Sequence, residues 1–367
     1  MTSRINAETL RGWLTEKRPV TVLDIRNDED RAQWFIPGSF HVNAYEALKS
    51  GTRSELSDIL LPSGVPVVTV CNVGRMSERA AMELQGRGIS AVSLAGGMNA
   101  WSAAWNTAAL EAPDVTITQV RRTGKGCLSY FLASAGEGII IDAALPPEVY
   151  LQLAKESKVR IRYVLDTHIH ADHLSRSRIL SEMSGAVLIL PKQERVHFPH
   201  RALEPGESIM FGDSVLESIP TPGHTMESTC YLLRGAALFT GDTLFLEGVG
   251  RPDLHAASEE EARKRATLLF QSLRRILASG PDVFVLPGHV SHPVAFDGEV
   301  LTARISDVAA RVEPWMSSEE AFSTRILSRL PGAPPNYLRI TSLNELGELP
   351  EGDLHELEAG ANRCAVS

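Results

Sequence analysis

Six residues that follow a short apolar run constrain this chain more than any other feature. Residues 161–165 have the length and composition of a buried strand, and His168, His170, Asp172 and His173 come directly after it. Three imidazoles and a carboxylate this close together are suitable ligands for zinc, iron or manganese. The alternative is a polar loop in which the histidines occur by chance. The density of ligands favours a metal site at the end of a strand.

Three further apolar runs also end in possible metal ligands. These are residues 215–219 before His224, residues 237–240 before Asp242, and residues 283–286 before His289. Pro-Gly pairs precede both histidines and make sharp turns that fix the direction of the ring. If every strand ends at the same sheet edge, these distant residues converge on one site.

Size and composition limit the classes of protein that remain. The 367 residues suffice for two or three domains with buried cores. A net charge of −9 argues against nucleic acid or an anionic membrane as main partner. The start lacks the apolar core of a signal peptide, and no apolar run approaches the ~20 residues that span a bilayer. The four cysteines form no C-x-x-C pair, so we expect thiols in a reducing cytoplasm. The oligomeric state stays open, with a homodimer as one option.

The N-terminal part predicts a small α/β domain with a parallel sheet. Strand-like runs at residues 20–25, 67–70 and 91–94 alternate with helical segments, including residues 77–86. Cys71 follows the second run and precedes a helix, the edge where ligand sites gather in open α/β sheets. A loop curled toward a helix N-terminus aims backbone N–H groups at the sulfur and favours the thiolate. The alternative is a buried structural cysteine.

Several motifs in this part carry a resemblance to the rhodanese (sulfurtransferase) family. They are Asp24-Ile25-Arg26, the Pro37-Gly38 pair, the Cys71 loop and the stretch from Gly96 to Trp101. The resemblance implies that Cys71 accepts a sulfane sulfur and passes it to a nucleophile, with Arg75 near incoming anions. The family often reads C-x-x-G-x-R-S, whereas this chain has Arg75 followed by Met76.

The four strand-end motifs of the second part resemble the metallo-β-lactamase superfamily. This resemblance implies an αββα sandwich with metal between the sheet edges. We therefore predict an N-terminal domain at 1–106, a linker at 107–114, and a metallo-β-lactamase domain at 115–367, with a C-terminal extension from about residue 311.

Further motifs resemble the persulfide dioxygenase branch of this superfamily. They are residues 248–254, 334–337 and 361–364. The resemblance implies a single Fe(II) held by His168, His224 and Asp242. It also implies oxidation of glutathione persulfide, or a similar persulfide, by O2 to sulfite and thiol. Such a site coupled to Cys71 would exchange sulfane sulfur among persulfide, sulfite and thiosulfate.

The remaining candidates allow a second interpretation. His170, Asp172, His173 and His289 would orient ligands or move protons around one iron, but they are also the other ligands of two-metal relatives. The alternative function is therefore a dinuclear zinc thioester hydrolase of the glyoxalase II type. Arg251 is a candidate for gripping a substrate carboxylate, or it pairs with Asp253. Tyr337 is a further candidate for substrate binding.

Overall fold

The computed structural model describes residues 3–352, 354–358 and 362–367, without the side chain of His355. Residues 1 and 2 of the predicted N-terminal domain lie outside the described residues. So do residues 353 and 359–361 of the predicted second domain, which include Ala361 of the C-terminal motif. Among the described residues, no helix is both long and apolar enough to cross a bilayer.

The N-terminal part forms one parallel sheet with helices on both faces, as predicted. In the described residues the strand order is β1-β5-β4-β2-β3. The strands are β1 (Arg4–Ile5), β2 (Thr21–Asp24), β3 (Phe40–His41), β4 (Val67–Val70) and β5 (Ala91–Leu94). The helices are α1 (Ala7–Thr15), α2 (Asp28–Gln33), α3 (Tyr45–Ser50), α4 (Arg75–Gly86) and α5 (Gly97–Trp101). Both faces of β4 are buried, which explains its continuous apolar sequence.

The second part is built on two mixed sheets packed face to face. Sheet I contains β6 (Asn106–Ala112), β7 (Val115–Arg121), β8 (Leu128–Ser134), β9 (Glu137–Ile141), β10 (Arg160–Leu165), β11 (Val187–Pro191) and β12 (Arg201–Leu203). Sheet II contains β13 (Ser208–Phe211), β14 (Ser214–Pro220), β15 (Thr229–Leu233), β16 (Ala237–Gly241), β18 (Phe284–Pro287) and β19 (Ala303–Arg304). A separate small ribbon pairs β17 (Val249–Gly250) with β20 (Ala365–Val366).

Helices cover the outer faces of both sheets and complete the predicted αββα sandwich. They are α6 (Pro147–Glu156) and α7 (Ser177–Ser184) on sheet I, and α8 (Glu259–Leu277), α9 (Ile305–Val312) and α10 (Glu319–Ser328) on sheet II. Helices α11 (Tyr337–Leu346) and α12 (Leu354–Glu358) pack together around Leu174. Apolar side chains such as Tyr130, Phe211 and Phe239 fill the space between the sheets. The leucine stripe of α8, including Leu269 and Leu273, packs on the outer face of sheet II.

The expectation of a linker at residues 107–114 is wrong for most of its length. Residues 106–112 form strand β6, which pairs antiparallel with β7 from Asn106↔Arg121 to Ala112↔Val115. Of the predicted linker, only Pro113 and Asp114 lie outside a strand. They form the turn between β6 and β7, in which Asp114 has φ of 61°. The strand was missed because its inward-facing residues include small ones such as Ala108, which give little hydrophobic contrast.

The two domains touch through buried hydrogen bonds. The Trp34 indole donates to the Thr123 carbonyl (2.9 Å), and Arg122 Nε donates to the Ser102 carbonyl (2.7 Å). A side chain at Gly124 would collide with the Trp101 carbonyl, so the backbones meet without space between them.

A buried carboxylate joins the C-terminal extension to the loop after β10 and to Arg122, which lies at the contact with the first domain. Glu358, only 1% exposed, accepts hydrogen bonds from Leu174 N (2.7 Å), Arg176 Nη1 (3.0 Å) and Arg122 Nη2 (3.1 Å). Leu174 directly follows His173, one of the predicted site residues, and Arg122 Nε also donates to the Ser102 carbonyl. Glu358 therefore connects helix α12 to the loop after β10 and to the segment around Arg122 that contacts the first domain.

Replacing Glu358 by Ala should lower the free energy of unfolding by about 3–5 kcal/mol, because two buried guanidiniums lose their counter-charge. Burial alone would raise the pKa of Glu358, but Arg122 and Arg176 hold this pKa below its usual range. The contribution is therefore present above the usual Glu pKa of about 4.3 and is lost as the pH falls through the lowered value. Urea denaturation at several pH values measures it.

The matched control is Glu356→Ala, on the exposed side of the same helix. It should change stability by less than about 0.5 kcal/mol. Equal losses in the two variants would show that the ion pairs of Glu358 do not stabilise the fold.

Candidate metal centre

Three strand ends bring the predicted ligands together. His168 follows β10, His224 lies in the turn after β14, and Asp242 follows β16. Asp242 Oδ2 lies 3.6 Å from His224 Nε2 and 3.9 Å from His168 Nε2. One donor atom from each residue lies within 4.8 Å of the others, and all three residues are buried. These distances suit three ligands around one cation.

Buried polar atoms without partners mark the same position. His168 Nε2 and Asp242 Oδ2 are both buried and make no hydrogen bond. An unsatisfied buried polar atom is costly, and buried charges are normally paired or bound to metal. A cation bound between these atoms would satisfy both, so the residues fit a metal.

Hydrogen bonds behind the ligands aim their lone pairs at the centre. Thr167 Oγ1 donates to Asp142 Oδ2 (2.9 Å) and accepts from His168 Nδ1 (2.9 Å), which leaves His168 Nε2 free for a metal. His224 Nδ1 donates to the Arg251 carbonyl (2.8 Å) in the same way. Sequence reasoning gave Asp142 and Thr167 no role. The position of Asp142, directly after the buried strand β9, was the available signal.

Electrostatics keep the ligands in the forms that bind metal. Burial, followed by the charge of His170, lowers the pKa of His168 well below its usual value, so this ring is neutral. Burial alone would raise the pKa of Asp242, but contact with His289 and then with His168 and His224 lowers it below its usual range. A neutral imidazole and an ionised carboxylate are the required donors.

The other histidine of the H-x-H pair faces away from the centre. His170 Nε2 lies 3.2 Å from Asp142 Oδ1. Burial alone would lower the pKa of His170, but Asp142, with help from Asp166, raises it to about 10. His170 therefore carries a positive charge beside the site and offers no lone pair at that nitrogen.

The remaining predicted residues divide into two pairs. Asp172 Oδ1 lies 3.0 Å from His173 Nδ1, and these two residues cluster with Cys127. His289 Nε2 lies 3.2 Å from Asp242 Oδ2, and these two cluster with Cys364. Both ring nitrogens of His289 are buried without a hydrogen-bond partner. The cysteines were not among the predicted site residues.

The structure decides between the two interpretations of Arg251. Its guanidinium forms a two-pronged pair with Asp253 (both contacts 2.8 Å) and also donates to the carbonyls of Gly332 and Arg363. All three nitrogens are engaged and the residue is 2% exposed. Arg251 is therefore an internal support of the site, and gripping a substrate carboxylate is not its role in this structure. Tyr337 is partly buried against Ala171 and Cys364.

The predicted sulfur-binding loop surrounds Cys71 with donors. Gly74 N and Ser77 N lie 3.1 and 3.4 Å from Cys71 Sγ, at the start of α4, and the Ser77 hydroxyl is also 3.4 Å away. Gly97 lies so close to the Cys71 carbonyl that a side chain there would collide with it. Cys71 is buried, whereas Arg75, the first residue of α4, is exposed. Backbone donors of this kind stabilise an anionic sulfur.

Comparisons with known proteins agree with both domains. Residues 122–289 match the metallo-beta-lactamase superfamily, and residues 6–104 match the rhodanese-like domain. The "probable polyketide biosynthesis zinc-dependent hydrolase BaeB" of Bacillus velezensis is 33% identical over 162 residues, which cover 42% of this chain and 68% of that protein. The chain therefore belongs to the metallo-beta-lactamase superfamily and has a rhodanese-like domain at its N-terminal end.

Relatives of two kinds occur within this superfamily. Human mitochondrial persulfide dioxygenase ETHE1 is 32% identical over 166 residues, covering 42% of this chain and 60% of that protein. The hydroxyacylglutathione hydrolase of Rhizobium johnstonii is 38% identical over 104 residues, covering 28% of this chain and 41% of that protein. In the crystal structure of ETHE1 from Myxococcus xanthus, 98% of the chain aligns with 65% of this one, with a TM-score of 0.52 and 25% identity.

The hydroxyl of Thr167 supplies a direct test of the ligand support. Thr167→Val keeps the side-chain shape but leaves His168 Nδ1 without its acceptor, and should weaken metal binding about 10–100-fold. Thr167→Ser, which keeps the hydroxyl, should remain near wild type. Competition with a coloured chelator measures the affinity. Equal affinities for the Val and Ser variants would contradict the orienting role.

Proposed function

We propose that the protein oxidises a low-molecular-weight persulfide and exchanges sulfane sulfur through Cys71. In the oxidation, glutathione persulfide or a related persulfide, O2 and water yield sulfite, the free thiol and two protons. The observation that carries the proposal is the set of two imidazoles and one carboxylate formed by His168, His224 and Asp242. Similarity to persulfide dioxygenases in the same region supports it.

The three donors would hold one Fe(II). Ferrous iron bound by two His and one carboxylate supplies open positions at which a thiolate sulfur and O2 can meet. Thr167 and the Arg251 carbonyl keep the two rings oriented. His289 is the best placed group to take up or release a proton, because its nitrogens lack partners and it lies beside Asp242.

A cavity beside His289 is the proposed place for the persulfide carrier. It encloses about 70 Å³, opens to solvent, and is lined by residues that include Phe245, Glu247, Ser291 and His292. The segment after His289 reads Val290-Ser291-His292, and all three residues line this cavity. We therefore expect residues 290–292 to influence which thiol carrier of the persulfide the protein accepts.

Sulfur transfer would take place at Cys71. Its thiolate attacks the sulfane sulfur of thiosulfate, the S–S bond breaks, and sulfite leaves with the bonding electron pair. A thiolate acceptor then attacks the outer sulfur of the Cys71 persulfide and restores the thiolate. Gly74 N and Ser77 N stabilise the anionic sulfur throughout. Since all four cysteines are free thiols, a reducing compartment such as the cytoplasm suits the protein.

A dinuclear zinc thioester hydrolase is the second candidate function. The similarity to the BaeB hydrolase and to hydroxyacylglutathione hydrolase favours it, as does the presence of Asp172, His173 and His289 in the sequence. In that case two zinc ions would activate water for attack on a glutathione thioester.

Oxygen consumption separates the two functions. Iron-loaded protein given glutathione persulfide should consume O2 in an oxygen electrode and form sulfite, with about one iron per chain by elemental analysis. A thioester of glutathione should not be cleaved. Two zincs per chain with thioester cleavage and no O2 uptake would establish the hydrolase instead.

The two chemistries should be separable by mutation. Cys71→Ser should abolish formation of thiocyanate from thiosulfate and cyanide but leave O2 uptake nearly intact, because Cys71 lies in the other domain. His168→Ala should do the opposite. A His197→Ala variant, which changes an exposed histidine, serves as control and should affect neither activity. Loss of both activities in both variants would contradict two independent sites.

A further inference from the structure

The C-terminal segment reaches into the cleft beside the metal centre. Strand β20 pairs with β17, Arg251 N donates to the Cys364 carbonyl (3.0 Å), and Arg251 Nη1 donates to the Arg363 carbonyl (3.1 Å). The segment from Asn362 to Val366, here called the C-terminal tail, is therefore held against the site by its backbone. Cys364 and Asn362 are both buried there.

The tail places a hydrogen-bond donor on the carboxylate that a second metal would need. Asn362 Nδ2 donates to Asp172 Oδ2 at 2.6 Å, and Cys127 Sγ donates to the same oxygen at 3.3 Å. The other oxygen lies 3.0 Å from His173 Nδ1. An amide NH2 offers hydrogens and no lone pair to a cation. A metal at Asp172 would have to displace these donors in a buried site.

The residues of a second metal position fall into different clusters: Asp172 and His173 lie with Cys127, whereas His289 lies with Asp242. Among the described residues, no cluster of donor atoms within 4.8 Å contains both Asp172 and His289. Cys364 joins Asp242 and His289 instead, in a cluster separate from the one that Asp242 forms with His168 and His224.

We propose that Asn362 and Cys127 hold Asp172 as a hydrogen-bond acceptor and that the tail thereby limits the centre to one metal. This inference rests on the proposed one-iron site and names what sets its nuclearity. Although the residues of a two-metal relative are present in the sequence, the tail assigns Asp172 a positioning role. By limiting the number of metal ions, the tail would favour persulfide oxidation at one iron over thioester hydrolysis at two zincs.

Metal content tests the inference without relying on activity. Wild-type protein, incubated with excess Zn²⁺ or Co²⁺ and freed of loose metal, should retain about one ion per chain. Asn362→Asp replaces the donor by a carboxylate of the same size and should raise the content toward two. Because two acids repel, a cation between them is favoured. With Co²⁺, the d–d spectrum should gain intensity from the second ion.

Two variants separate this role from general loosening. Asn336→Asp removes another amide contact of the C-terminal extension, Asn336 Nδ2 to the Leu357 carbonyl (3.1 Å), far from Asp172 in the chain, and should stay at one metal. Asn362→Gln should also stay near one, since it keeps an NH2 donor. Circular dichroism and thermal unfolding monitor folding of the metal domain in each variant.

Three outcomes would overturn the inference. The first is one metal per chain in a folded Asn362→Asp variant. The second is two metals in Asn336→Asp as well, which would implicate the extension as a whole. The third is two metals in wild type that fall to one in Cys364→Ser, because the tail would then supply a ligand. If wild type holds one ion yet consumes no O2 with any persulfide, the proposed function fails while the role of the tail stands.

Discussion

The Asp242 carboxylate is the interaction around which the second domain is arranged. It faces the Nε2 atoms of His168, His224 and His289 at 3.9, 3.6 and 3.2 Å, in a site closed to solvent. A carboxylate buried this deeply needs compensating positive charge, which a cation held between it and the imidazoles would supply. The strand ends, the turn before His224 and the support of His168 by Thr167 all serve to assemble a site whose charge a cation completes.

Much of this arrangement could be read from the sequence because it depends on local pattern. Apolar runs of strand length ended at His168, Asp242 and His289. The single shared sheet edge expected from the sequence is two edges in the structure: the parallel strands β16 and β18 bring Asp242 and His289 to one edge of sheet II, and β10 of the facing sheet I supplies His168. The Cys71 loop was equally readable, since a cysteine between a buried strand and a helix start meets backbone N–H groups. The α/β class of the N-terminal domain followed from the alternation of strands and helices, whereas the αββα sandwich of the second domain was implied by the resemblance to the metallo-β-lactamase superfamily.

The features that were not readable depend on contacts between residues far apart in the chain. Asn362 and Asp172 are 190 positions apart, and nothing in either neighbourhood indicates the other. The same holds for Glu358 and Arg122. From the sequence, Arg251 could bind either a substrate carboxylate or Asp253, and only the fold shows that it pairs with Asp253. Strand β6 was missed for a different reason: its small inward-facing side chains carry almost no periodic signal.

Strand β6 limits how sulfur could pass between Cys71 and the metal centre. A flexible tether would let one domain swing its sulfur toward the other, but here the chain passes from α5 directly into a sheet edge, and Trp34 and Arg122 fasten the surfaces together. Neither domain can act as a mobile arm. If both proposed activities operate, sulfur would cross between the centres on a diffusible carrier, and the rigid fusion would fix how far that carrier travels.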